Sequence, residues 1–127
     1  MQSMFRESIA WQKAMELSTA VYSATRTFPK EEQFGLTNQL RRASVSIPSN
    51  IAEGKGRLTT GELQQFLGIA RGSALEVQTQ LELAVRLGFG NRNELEDIQR
   101  LAEEVSRILN ASVTTLRSKQ VAKNKRM

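Results

Sequence analysis

Apolar residues recur at intervals of three and four through four successive stretches of this chain, and that spacing commits it to amphipathic helices. In the first stretch Ala10, Ala14, Leu17, Val21, Ala24 and Phe28 follow one another at 4, 3, 4, 3 and 4. The spacing predicts a helix from about Arg6 to Thr27, with Trp11, Met15 and Tyr22 widening its apolar face. Phe28-Pro29 ends it, because a residue before proline is pushed out of the helical region.

A second helix is expected from about Glu31 to Glu53, with the stripe Leu36, Leu40, Ala43, Ile47 and Ile51. Pro48 falls inside it. Proline has no N–H to donate and its ring crowds the carbonyl of Ser44, so a kink at Pro48 is expected. A break into two helices near Ile47 is the weaker alternative, since isoleucine makes a poor N-cap. Ser44, Ser46 and Ser49 are the candidates to satisfy the freed carbonyl.

Thr59 and Glu62 have capping-box spacing and open the third helix. Its stripe is Leu63, Leu67, Ala70, Ala74, Val77, Leu81 and Ala84, and a second one runs through Phe66, Ile69, Ser73, Leu83 and Leu87. Asn93 and Glu96 repeat the capping box for the fourth, whose stripe is Leu95, Ile98, Ala102, Val105, Leu109, Ser112 and Leu116. Four such helices with short connections predict an all-α fold, an antiparallel up-down-up-down four-helix bundle.

Composition narrows the chemistry. The 127 residues suit one domain and contain neither cysteine nor histidine. Disulfides, thiolate catalysis, Ser-His and Cys-His arrangements and the commonest metal ligand are thereby excluded. No run of eighteen apolar residues is present, and the first residues lack a signal pattern, so a cytoplasmic protein with no membrane partner is expected. Bundle di-metal sites use Glu-x-x-His pairs, which leaves Glu53, Glu62, Glu76 and Glu82 better read as ion-pair partners of Arg42, Arg57 and Arg71. No cofactor, no metal site and no enzymatic activity are expected. Gly54-Lys55-Gly56-Arg57 lacks the spacing and the preceding strand of a phosphate loop, and Gly72-Ser73 has no base beside it.

The charge is uneven. Lysine and arginine total 18 against 13 acids. Arg117, Lys119, Lys123, Lys125 and Arg126 lie in the last eleven residues with no acid among them, so the rest of the chain is neutral. A bundle domain over residues 1–118 and a basic, flexible tail over 119–127 are expected. Such a tail attracts polyanions, or is simply a solvated terminus.

If the second and third helices pair about Arg57, residues whose numbers sum to about 115 lie side by side. Ala43 then meets Gly72 and Ser46 meets Gly68, a pattern that predicts close backbone approach. The surplus apolar width on the first and third helices reads either as a fat core or as a partner surface.

The run Gln39–Gly54, QLRRASVSIPSNIAEG, is distinctive, as are Phe66–Ser73, Glu76, Gln78–Leu81, Trp11–Lys13, Phe28-Pro29 and Phe34–Leu36. Over residues 5–118 the chain resembles the four-helix bundle family of 23S ribosomal RNA intervening-sequence proteins, also labelled S23. The family is related to the accessory variability protein of diversity-generating retroelements. The resemblance implies a homopentamer, tips the surplus apolar width towards oligomerisation, and carries no established molecular activity. Arg41, Arg42, Asn50, Glu53, Arg71 and Ser73 match its motif.

Two functions follow as expectations. One is a nucleic-acid-binding accessory protein, RNA or DNA, linked to rRNA intervening sequences. Its phosphate contacts would come from Arg41, Arg42, Lys55, Arg57, Arg117, Lys119, Lys123, Lys125 and Arg126. The other is an oligomeric scaffold for a protein partner. Asn50, Glu53, Arg71 and Glu76 are expected to form a structural polar network.

Overall fold

The computed structural model describes residues 4–126, which form four α-helices, two short 3-10 turns and no strand. Helix α1 spans Ile9–Thr25, α2 Leu36–Lys55, α3 Thr60–Leu87 and α4 Arg92–Arg126. Every residue of the first two predicted stripes is buried, and so are Leu67 to Ala84 of the third and Leu95 to Leu109 of the fourth. Together they make one core, to which α4 adds Val113. No helix among the described residues is long and apolar enough to cross a membrane.

The ends of the helices follow local chemistry. Ser8 caps α1 by accepting from Trp11 N at 3.2 Å. Helix α2 starts at Leu36 rather than Glu31, because Lys30–Glu32 is a separate 3-10 turn whose Glu32 carboxylate accepts from Leu36 N at 3.0 Å. Thr59 caps α3 as expected, accepting from Glu62 N at 3.1 Å. The cap of α4 is Asn91, not Asn93: its Oδ1 accepts from Glu94 N at 2.9 Å, two residues earlier than the capping box placed it. Gly88 closes α3 with φ 75°, a conformation open to glycine.

Pro48 lies inside α2 and is buried, and the helix is continuous on both sides of it. The carbonyl it frees is satisfied from another helix. Ser18 Oγ of α1 donates to Ser44 O at 2.7 Å, whereas the Ser44 hydroxyl donates to Arg41 O. The neighbouring serines of α2 are not the donors.

Contacts between successive helices run in opposing order. Arg41 reaches Thr25 and Ser44 meets Ser18 between α1 and α2; Ser46 meets Ser73 and Gly54 meets Phe66 between α2 and α3. The second pair sums to about 119 rather than 115, one helical turn further along α3. The close approach is displaced with it. A Cβ on Gly68 or Gly72 would meet nothing within 4 Å, whereas one on Gly54 would lie 3.1 Å from both Leu63 Cδ1 and Phe66 Cβ. Gly54, at the end of α2, is the residue that lets the helices close.

The fourth helix passes Ser118, where a tail was expected to begin, without interruption, and the basic segment is helical to Arg126.

Candidate nucleic-acid interface

Ser8, Lys55, Leu63 and Thr115 line one cleft of about 310 Å³, which brings the start of α1, the end of α2, the start of α3 and the last third of α4 to the same end of the bundle. That end collects Arg6, Lys55, Arg57, Arg117, Lys119, Lys123, Lys125 and Arg126 against Glu7, Glu53 and Glu62. At the opposite end the cations are matched by acids: Arg86 pairs with Glu82 at 2.9 Å, Arg92 with Glu96 at 3.1 Å, and Arg100 with Asp97. The surplus of the whole chain therefore sits at one pole.

The cations at this pole differ in freedom. Arg57 is committed: Nη2 lies 3.0 Å from Glu53 Oε2, Nη1 3.8 Å from Glu62 Oε2, and the guanidinium stacks 4.6 Å above the Phe66 ring. Lys55 and the five cations of the α4 extension are exposed and make no ion pair among the described residues.

Two of the expected phosphate ligands lie elsewhere. Arg41 is fourteen residues from Lys55, about 20 Å along α2 at about 1.5 Å per residue. It is held against α1: Nε donates to Thr25 Oγ1 at 2.8 Å, Nη2 to Tyr22 O at 3.4 Å, and the guanidinium sits 4.7 Å over the Tyr22 ring. Arg42 is next to it, exposed and without an ion pair among the described residues.

The four residues expected to form a polar network are not brought together in one. Asn50 Nδ2 donates to Ser46 O at 2.8 Å and to Ser46 Oγ at 3.0 Å, and Ser46 Oγ is 2.9 Å from Ser73 Oγ. Glu53 turns outward to Arg57. Arg71 and Glu76 make no ion pair or side-chain hydrogen bond among the described residues. A second polar seam, not anticipated, joins α3 to α4: Gln78 Nε2 donates to Ser106 Oγ, and Gln99 Nε2 to Gln78 O at 3.2 Å. Gln78, Gln99 and Ser106 each follow a stripe residue, Val77, Ile98 and Val105, so only their place at the edge of the apolar faces hinted at the seam. Among the described residues no group of three acidic, histidine or cysteine side chains is placed to hold a metal ion.

Four packed helices with no strand among the described residues, and a surplus of cations at one end, place the chain among four-helix bundle proteins. The family model of the 23S rRNA-intervening sequence protein matches residues 6–111, and the chain belongs to that family. It is similar in fold to a protein of unknown function from the S23 ribosomal protein family of Bacteroides thetaiotaomicron VPI-5482. The TM-score is 0.74 at 22% identity, covering 83% of this chain and 98% of that one. No curated protein matches the chain. The family match ends before the α4 extension begins.

Proposed function

We propose that this chain is a non-enzymatic, oligomeric accessory protein that binds nucleic acid, RNA or DNA, through the basic pole of its bundle. The observation that carries the reading is the placement of Lys55 and the α4 cations, exposed and without ion pairs among the described residues, at one end of an otherwise balanced molecule. Unpaired cations grouped on one surface neutralise phosphates and release counterions, which is the main source of sequence-independent affinity. The family's tie to ribosomal RNA intervening sequences agrees with a nucleic-acid partner.

Self-association is part of the reading. Ile69, Leu75, Leu83 and Leu87 of α3 are 45–54% exposed, and Trp11, Met15, Val45 and Pro48 line an apolar groove between α1 and α2. A heterologous contact between two such unlike surfaces makes a ring where its rotation closes, and the family resemblance gives the number five. A ring sets several basic poles side by side and converts weak contacts into avidity. The same α1–α2 groove favours a second reading, a scaffold whose partner is another protein.

Purified protein separates the two. Nucleic-acid binding predicts a raised 260/280 nm absorbance ratio that nuclease treatment lowers, and retention of added RNA or DNA on filters at low salt. Protein free of nucleic acid that retains neither polymer supports the scaffold.

A further inference from the structure

Beyond Leu116 the side of α4 that faced the core changes chemistry. The stripe Leu109, Val113 and Leu116 continues at the same spacing into Gln120, then Lys123 and Asn124. Leu109 and Val113 are buried, Leu116 is half-buried, and from Arg117 to Arg126 no residue is buried. The helix continues regardless. Its last ten residues form a rod about 15 Å long, at about 1.5 Å per residue, that has left the core behind. A helix this short does not stand alone in water; growing from a packed helix removes the cost of nucleation.

The side chains sort around the rod at about 100° per residue. Gln120 and Asn124 share one face, and Gln120 Nε2 donates to Asn124 Oδ1 at 3.3 Å. That bond leaves Gln120 Oε1 to accept and Asn124 Nδ2 to donate, side by side. Arg117 and the exposed Val121 flank the pair on one side and Lys123 on the other. Lys125 and Lys119 lie further round on opposite sides.

We propose that the Arg117–Arg126 extension is a groove-reading helix for B-form duplex DNA, with Gln120 and Asn124 addressing base edges and the flanking lysines the phosphates of the two strands. This rests on the nucleic-acid reading above and narrows it to one polymer. The B-DNA major groove is about 12 Å wide, matching a helix about 10–12 Å across. An acceptor beside a donor complements the N6 amino group and N7 of adenine, the edge that asparagine and glutamine read, and an apolar side chain such as Val121 suits the thymine methyl group. The major groove of A-form RNA is too deep and narrow for the same approach.

The test is fluorescence anisotropy of the full chain at about 100 mM salt. The probes are a DNA duplex of about two turns, about 20 base pairs, an RNA duplex of the same sequence, and the single DNA strand. DNA duplex is expected to bind about tenfold tighter than RNA duplex. Ala122→Pro keeps every charge but breaks the rod, by removing the hydrogen bond to Ser118 and crowding its carbonyl. It should bring DNA affinity down to the RNA level while leaving oligomer mass and unfolding temperature unchanged. Gln120→Ala with Asn124→Ala should weaken duplex DNA about tenfold and leave the single strand unaffected. Equal affinity for the two duplexes, or undiminished DNA binding by Ala122→Pro, overturns the groove reading and leaves phosphate-driven binding in place. No binding to any of the three probes overturns both.

Discussion

The hydroxyl of Ser18 on α1 donates to the carbonyl of Ser44 on α2 at 2.7 Å, and Pro48 is the reason that acceptor is available. With any other residue at position 48 the amide there would take it. Both serines are buried, Ser44 at 0% exposure, so no bulk water replaces a lost partner. The carbonyl that proline leaves without a helical donor thereby becomes a tie between helices.

Ser18→Ala should therefore destabilise the protein by about 1–3 kcal/mol, the cost of a buried unsatisfied carbonyl. In a Pro48→Ala background, where the helical donor returns, the same change should cost much less. Denaturant unfolding of the four proteins of this cycle measures the coupling. Equal losses in both backgrounds would remove the tie.

At Gly54 and Gly72 adding a methyl group should have opposite signs. Gly54→Ala pushes a Cβ to 3.1 Å from Leu63 and Phe66 and should cost about 1–3 kcal/mol. Gly72→Ala meets nothing within 4 Å and should gain about 0.5–1 kcal/mol from helix propensity alone. Calorimetry on both variants decides, and losses of similar size would contradict the contact geometry.

These two glycines mark where the sequence was legible and where it was not. Stripes such as Leu36–Ile51 and Leu67–Ala84 can be read because burial of one helix face repeats every three or four residues, and each of those residues is buried. Stagger between helices has no such local signature. A loop centred on Arg57 put Ala43 beside Gly72, whereas packing of Leu63 and Phe66 into the notch at Gly54 sets the α2–α3 register one turn further on, with Ser46 against Ser73. Arg41 was legible as a cation but not as a clamp on Tyr22 and Thr25, because its partners are sixteen and nineteen residues away. The basic surplus after Arg117 was plain from composition; that it continues α4 as helix was not, since the apolar stripe stops at Leu116.

The two kinds of arginine and lysine should separate experimentally. Arg41→Ala should cost about 1–2 kcal/mol of stability through its lost hydrogen bonds and ring contact, and leave nucleic-acid affinity unchanged per folded molecule. Lys55→Gln should stay within about 0.5 kcal/mol of the parent in stability and weaken binding. Urea titrations paired with filter binding read both quantities. The reverse pattern would move the interface to the middle of α2.

Light scattering should give a mass near five times the 14.2 kDa of one chain. Leu83→Glu, on the exposed face of α3, should shift it towards the monomer with helical content intact. A parent protein that is monomeric at micromolar concentration would end the ring model.

The salt dependence of nucleic-acid binding tests the central claim most directly. Each phosphate neutralised contributes about −0.9 to the log–log slope on duplex DNA and about −0.7 on single strands. Removing Lys119 to Met127 takes four cations, Lys119, Lys123, Lys125 and Arg126, from each subunit. The truncated protein should show a markedly flatter slope with unchanged oligomer mass. A slope that stays the same, or an intact protein that binds neither RNA nor DNA at about 50 mM salt, would contradict a basic pole built on α4.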